Sequence, residues 1–269
     1  RWLPSGSDGK NAMFSNWGSS STFDVIVNAG RTLTLTEATA SIGMDGTNSA
    51  SGYVSDQRGG GYTVHGSIVC AGELMLGSDN ADAAYRPYLR IMNGGVVETA
   101  YLNYGGNNSA SGGALTIENG GKLEITGAGA SNTTWVNNTV GSIVFDIQSG
   151  STIEYSGSVA QNVHGALFDY SNLVIDKAAN DISLIGNLSV LNNLNLLSGN
   201  VNTTASDLMI IQNNATVSGA SNASHINGPC RKVGNQAFTF PIGKNGLLRT
   251  ASISAPSTIT DHFTAEYFD

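Results

Sequence analysis

Four tyrosines fall within a short stretch: Tyr85, Tyr88, Tyr101 and Tyr104. An aromatic face stacks on the C–H surface of a sugar, and nearby Asn and Asp side chains can bond its hydroxyls. These four are the candidate carbohydrate-binding residues. A half-buried strand tyrosine, apolar in its ring and polar at its tip, has the same appearance in sequence. Asp79 and Asp82 are hard oxygen donors suited to Ca2+, with Asp45 and Asp56 on the preceding insertion. Their spacing matches neither an EF-hand loop nor the calcium-binding nonapeptide repeat. Ca2+ at Asp79 and Asp82 is therefore the one metal candidate, and no other cofactor is expected.

Polysaccharide cleavage needs more. A hydrolase uses facing carboxylates, and a lyase uses charge neutralisation plus an Arg or Lys base. Glu98, Glu118, Glu124 and Glu154 supply acids, and Asp82, Tyr85, Arg86 and Arg90 lie close in sequence. The four glutamates sit singly in strands, where alternation alone turns them to solvent, so no catalytic residue is assigned. His65, His164, His225 and His262 have no metal-ligand neighbour, and neither HExxH nor CxxC occurs. Cys70 and Cys230 lie too far apart in a serial fold to favour a bridge; two buried thiols are expected.

The elements that would carry these residues are short strands. Residues 23–27, 33–36, 62–70, 73–76, 88–92, 96–98, 115–118 and 122–125 alternate apolar and polar side chains. Asn93-Gly94-Gly95, Asn119-Gly120-Gly121 and Ser149-Gly150-Ser151 separate strand pairs. Such turns suit hairpins, but spacings in the twenties favour corners of a solenoid. The leucines of residues 180–204 invite a helix, yet Gly and Asn interrupt them throughout. They read instead as strands with Asn at the corners, able to stack as amide ladders. Thr32, Thr34 and Thr36 alternate on one strand only, which is no ice-binding array.

Composition narrows the class. The chain has 269 residues and a formal net charge of -8, with only 12% charged residues. Gly, Ser, Asn and Thr make up 43%. That mix excludes a helical bundle, a collagen and a general phosphate-backbone binder. Hydrophobic residues at 40%, in β-branched runs, exclude simple disorder. No apolar run reaches the length of a membrane-spanning helix. The expected fold is all-β: a right-handed parallel β-helix over residues 23–222, an N-terminal cap at 1–22 around Trp2, Phe14 and Trp17, and the start of a β-sandwich-like module at 223–269. The chain starts without Met and stops within a strand-like stretch, which reads as a processed or truncated piece of a longer protein.

The end of the chain carries a resemblance. His225-Ile226-Asn227-Gly228-Pro229-Cys230-Arg231-Lys232-Val233-Gly234 and Phe238-Thr239-Phe240-Pro241-Ile242-Gly243-Lys244 resemble a segment of very large surface proteins of Bacteroidota. So do residues 150–155, 161–163, 170–175 and 186–190. The resemblance covers residues 142–269. It implies a β-helix leading into a β-sandwich-like module, export by the type IX secretion system, and an adhesin-like or stalk role at the cell surface. The implied partners are surface glycans, other cell-surface proteins and the export machinery. Cys230 stands where that family has an aliphatic residue, and the resemblance transfers no catalytic motif. The expected function is a non-catalytic, elongated segment of a secreted surface protein; a carbohydrate-binding or polysaccharide-degrading domain is the alternative.

Overall fold

The computed structural model describes residues 23–36, 39–42, 60–76, 88–103, 113–136 and 144–269. The expected cap at 1–22 lies outside them, as do Asp45, Asp56, Asp79, Asp82, Tyr85, Arg86 and Tyr104. The described residues are all-β, with no α-helix and one 3-10 turn at Ala130–Asn132. The strands follow the alternation read from sequence. In Ala114–Ile117 and Lys122–Ile125 every second side chain is buried: Leu115, Ile117, Leu123 and Ile125. Burying one such aliphatic side chain contributes about 1.5–3 kcal/mol.

The chain divides into two compact units, one from residues up to Leu123 plus Trp135–Asp146, the other from Glu124–Thr134 plus Ile147–Asp269. In the first, the strands Phe23–Val27, Gly60–Val64, Tyr88–Ile91 and Ala114–Ile117 lie side by side in that order. A second sheet takes Thr32–Leu35, Ser67–Leu76 and Val96–Asn103. All these neighbours are parallel: Tyr62 pairs with Leu89, Leu89 with Leu115, and Leu33 with Ile68, which pairs with Val97. The turn at Asn93-Gly94-Gly95 therefore joins strands of different sheets, which makes it a corner. Gly94 sits there at φ 78°, a left-handed conformation that glycine adopts without a Cβ clash. Its N–H donates to the Gly120 carbonyl of the equivalent corner at 3.1 Å.

The second unit repeats the scheme. Thr152–Tyr155, Tyr170–Asp176, Leu188–Ser198, Met209–Ile211 and Cys230–Val233 form one parallel series. Gln161–His164, Ile182–Ile185, Val201–Asn202 and Ile226–Asn227 form another. Like side chains stack in rows through the core. Ile153, Leu173 and Leu194 make one row, and Tyr155, Ile175 and Leu196 the next. Residues 180–204 thus form strands, as the interrupting Gly and Asn require. The parallel series ends with Cys230–Val233, which is parallel to Met209–Ile211 on one side and antiparallel to the strand on its other side. Cys230–Val233 pairs antiparallel with His262–Ala265, Phe238–Phe240 with Ala251–Ile253, and Gly243–Lys244 with Leu247–Leu248. An antiparallel tail was expected from residue 223.

Candidate binding surfaces and buried polar sites

The two described candidate tyrosines lie on different sheets. Tyr88 opens the strand Tyr88–Ile91 and pairs with Gly61. Its ring covers the Gly61 backbone so closely that a Cβ there would fall 2.4 Å from the ring. The Arg90 guanidinium stands 4.5 Å from the ring centroid, in cation–π range. Tyr88 thus packs against the Gly61 backbone and carries the Arg90 guanidinium over its ring. Tyr101, on Val96–Asn103, pairs with Glu73. The Asn103 amide donates to Glu73 Oε1 at 2.7 Å, and Asn103 is buried. Burial, with the Glu73 carboxylate second, pushes the Tyr101 phenol up. Tyr101, Glu73 and Asn103 form a polar group able to bond hydroxyls.

The carboxylates singled out from sequence are dispersed. Glu98 pairs with Val69, and Glu154 with Val174. Glu124 accepts a 2.9 Å bond from the Ser156 hydroxyl. Among the described residues no group of three His, Cys, Asp or Glu side chains converges as a metal site. Cys70 and Cys230 are free and buried, and burial pushes both thiols up. His225 is buried, its Nδ1 3.3 Å from the Ser221 carbonyl and its backbone N–H bonded to Asn200 Oδ1 at 3.2 Å. Its ring fills the space over Gly243, where a Cβ would meet it at 2.6 Å. Burial pulls the His164 imidazole down.

Two buried lysines were not legible in the sequence. Lys177 is only 3% exposed, yet its partners are neutral. Its ammonium donates to the Ser156 carbonyl at 2.6 Å and to Gln161 Oε1 at 2.5 Å. The Gln161 amide nitrogen in turn donates to the Ile125 and Gly127 carbonyls at 3.0 and 2.8 Å. Loss of water lowers the Lys177 pKa to about 8. Lys232 is 1% exposed and donates to the Gln212 and Ala215 carbonyls at 2.6 and 3.3 Å. Its ammonium lies 5.4 Å from the Phe238 ring centroid, and burial pulls its pKa down.

The outer face of the second unit carries amide and hydroxyl rows. Thr152, Asn172, Asn193 and Thr216 align from strand to strand. The Asn192 amide donates to Asn172 Oδ1 at 2.6 Å, Thr216 to Asn193 Oδ1 at 2.9 Å, and Ser218 to Asn195 Oδ1 at 3.1 Å. Asn227 likewise donates to Asn202 Oδ1 at 2.9 Å. Amide ladders were expected at the corners; these rows instead lie within the strands Tyr170–Asp176, Leu188–Ser198, Val201–Asn202 and Ile226–Asn227, with hydroxyls interleaved among the amides. No helix among the described residues is long and apolar enough to cross a membrane. No protein-family model, no curated protein and no solved structure matches the chain.

Proposed function

We propose that the chain is a non-catalytic segment of a secreted bacterial surface protein, of adhesin or stalk type. Its units are windings of a right-handed parallel β-helix, the hand that parallel crossovers take in nearly all sheets. One observation carries this reading: parallel strands recur in register, with aliphatic rows inside and amide–hydroxyl rows outside. Successive strands are joined by parallel backbone ladders, so force or protease attack must break several bonds together. The surface of uncharged amides and hydroxyls suits many weak contacts, which repetition multiplies into avidity. The resemblance of residues 142–269 supports placement at the extracellular surface and export by the type IX route.

The second reading is carbohydrate binding. It is favoured by Tyr88 with Arg90 above its ring, and by Tyr101 with Glu73 and Asn103. A panel of polysaccharides, with and without Ca2+, tests both readings through binding and through reducing-end and unsaturated products. Binding without product is the adhesin outcome. Product formation overturns the non-catalytic reading. Saturable binding abolished by both Tyr88→Ala and Tyr101→Ala, with the circular dichroism unchanged, places the sugar site on these residues.

A further inference from the structure

The sequence holds four Asn-Gly pairs: Asn93-Gly94, Asn119-Gly120, Asn227-Gly228 and Asn245-Gly246. Such a pair can react with itself. The backbone nitrogen after the asparagine can attack the side-chain Cγ, and glycine offers that nitrogen with no Cβ in the way. The fold does not leave the four pairs equally able to do so. The Asn227 amide donates to Asn202 Oδ1 at 2.9 Å, and Gly228 lies against Thr203, whose carbonyl oxygen a Cβ would meet at 2.4 Å. The Asn245 amide donates to the Asp269 carboxylate, and Asn245 is held at φ 52° in the turn between Gly243–Lys244 and Leu247–Leu248.

The other two pairs occupy equivalent corners. The Gly95 N–H closes the first on the Met92 carbonyl at 2.8 Å, and the Gly121 N–H closes the second on the Glu118 carbonyl at 2.9 Å. Gly94 and Gly120 stand at φ 78° and 79°. Asn93, Gly94, Asn119 and Gly120 are all exposed. The corners differ at the reacting atoms. The Gly94 N–H is engaged by the Gly120 carbonyl at 3.1 Å. The Asn93 carboxamide lies against Gly120, with Oδ1 2.8 Å from where a Cβ would stand. Among the described residues neither the Gly120 N–H nor the Asn119 carboxamide has a hydrogen-bond partner. At this corner alone of the two, nucleophile and electrophile are adjacent, exposed and unbonded.

We propose that Asn119 is a site of spontaneous deamidation, selected by the fold. The Gly120 nitrogen bonds to Asn119 Cγ, the Cγ–Nδ2 bond breaks, and the departing NH2 takes the Gly120 amide proton and leaves as ammonia. Water then opens the succinimide at either carbonyl, giving aspartate or isoaspartate. Isoaspartate lengthens the main chain by a methylene within the turn that the Gly121–Glu118 bond closes, and the carbonyl displaced is the acceptor for Gly94. The reaction therefore marks the age of the chain and loosens one corner from the corner before it. It needs no enzyme and does not depend on the surface-protein reading.

The test is peptide mapping of the full chain during incubation at mildly alkaline pH, with aspartate and isoaspartate forms separated. The peptide holding Asn119 is expected to convert first, at least about tenfold faster than that holding Asn93, which must first give up a backbone hydrogen bond and a packed carboxamide. In urea the two rates come within about threefold, because the corners no longer exist. Equal rates in the native chain, or earlier conversion at Asn93, Asn227 or Asn245, overturn the proposal. A native preference that persists in urea overturns the fold as its source. Aspartate without isoaspartate overturns the succinimide route. Asn119→Ser, with the circular dichroism unchanged, abolishes the early ammonia release; release at the original rate overturns the assignment.

Discussion

Lys177 is a charge kept out of water by amide oxygens alone. Its stability contribution has a definite sign with pH. The unfolded side chain titrates near 10.5, while the folded one titrates near 8. Below pH 8 both states hold the proton, and burial of the ammonium costs stability. Between 8 and 10.5 the unfolded chain still holds it and the native chain does not, so stability rises with pH across that window. Urea unfolding is expected to show a gain on the order of 1–3 kcal/mol from pH 7.5 to 10, measured against Lys177→Met. At pH 7.5 that variant is itself less stable by about 1–3 kcal/mol, because Gln161 Oε1 and the Ser156 carbonyl lose their donor. A flat difference across the window removes the lysine as its source. In sequence nothing marks Lys177 or Lys232, because the same residue on a solvated surface is far commoner. The packing of Tyr88 on Gly61 was equally hidden: it depends on register between strands, which the sequence does not display.

At the level of the element, alternation was the most legible signal. It located Phe23–Val27 and Lys122–Ile125 at their observed bounds. The Asn-Gly turns were read as favouring corners over hairpins; the strands flanking each lie in different sheets, with parallel neighbours, and do not pair with each other. Where alternation is interrupted the reading breaks down. Within residues 180–204, read as strands with Asn at the corners, Asn192 and Asn193 marked a corner. In the structure Leu188–Ser198 is one strand whose register shifts against Tyr170–Asp176. The corners differ in tolerance. Gly94 has open space around the missing Cβ, so Gly94→Ala carries only the left-handed strain, about 1 kcal/mol. At Gly157, φ 77°, a Cβ would fall 1.9 Å from the Thr126 carbonyl oxygen. Gly157→Ala must displace backbone and is expected to cost at least about 2–3 kcal/mol. Thermal unfolding of the two variants checks that order. In the rows between corners, Leu194→Ala removes a fully buried side chain and is expected to cost about 2–5 kcal/mol.

At the scale of the whole molecule, composition alone announced an all-β chain poor in charge. The change to an antiparallel tail was read from the segment after residue 222 rather than from composition, because the tail has the same strand propensities as the residues before it. Each inner strand of the parallel series has two sheet neighbours, Leu188–Ser198 lying between Tyr170–Asp176 and Met209–Ile211, whereas the last strand has one among the described residues. Native-state hydrogen exchange is expected to be graded within the second unit. The amides of Leu173–Ile175 and Leu194–Leu196 should exchange slowest, and those of the last strand much faster. A single uniform protection factor across these strands contradicts nearest-neighbour stability.

The partner offset varies, and that has a consequence for how such a chain can change in length. Met209 meets Leu188 and Cys230, each 21 positions away, whereas Ile182 meets Val201 at 19 positions and Val201 meets Ile226 at 25. The aliphatic rows keep their facing across these unequal steps because the difference is taken up between strands. Residues gained or lost in the connections therefore leave the rows intact, while a single residue inserted within a strand turns every side chain beyond it to the opposite face.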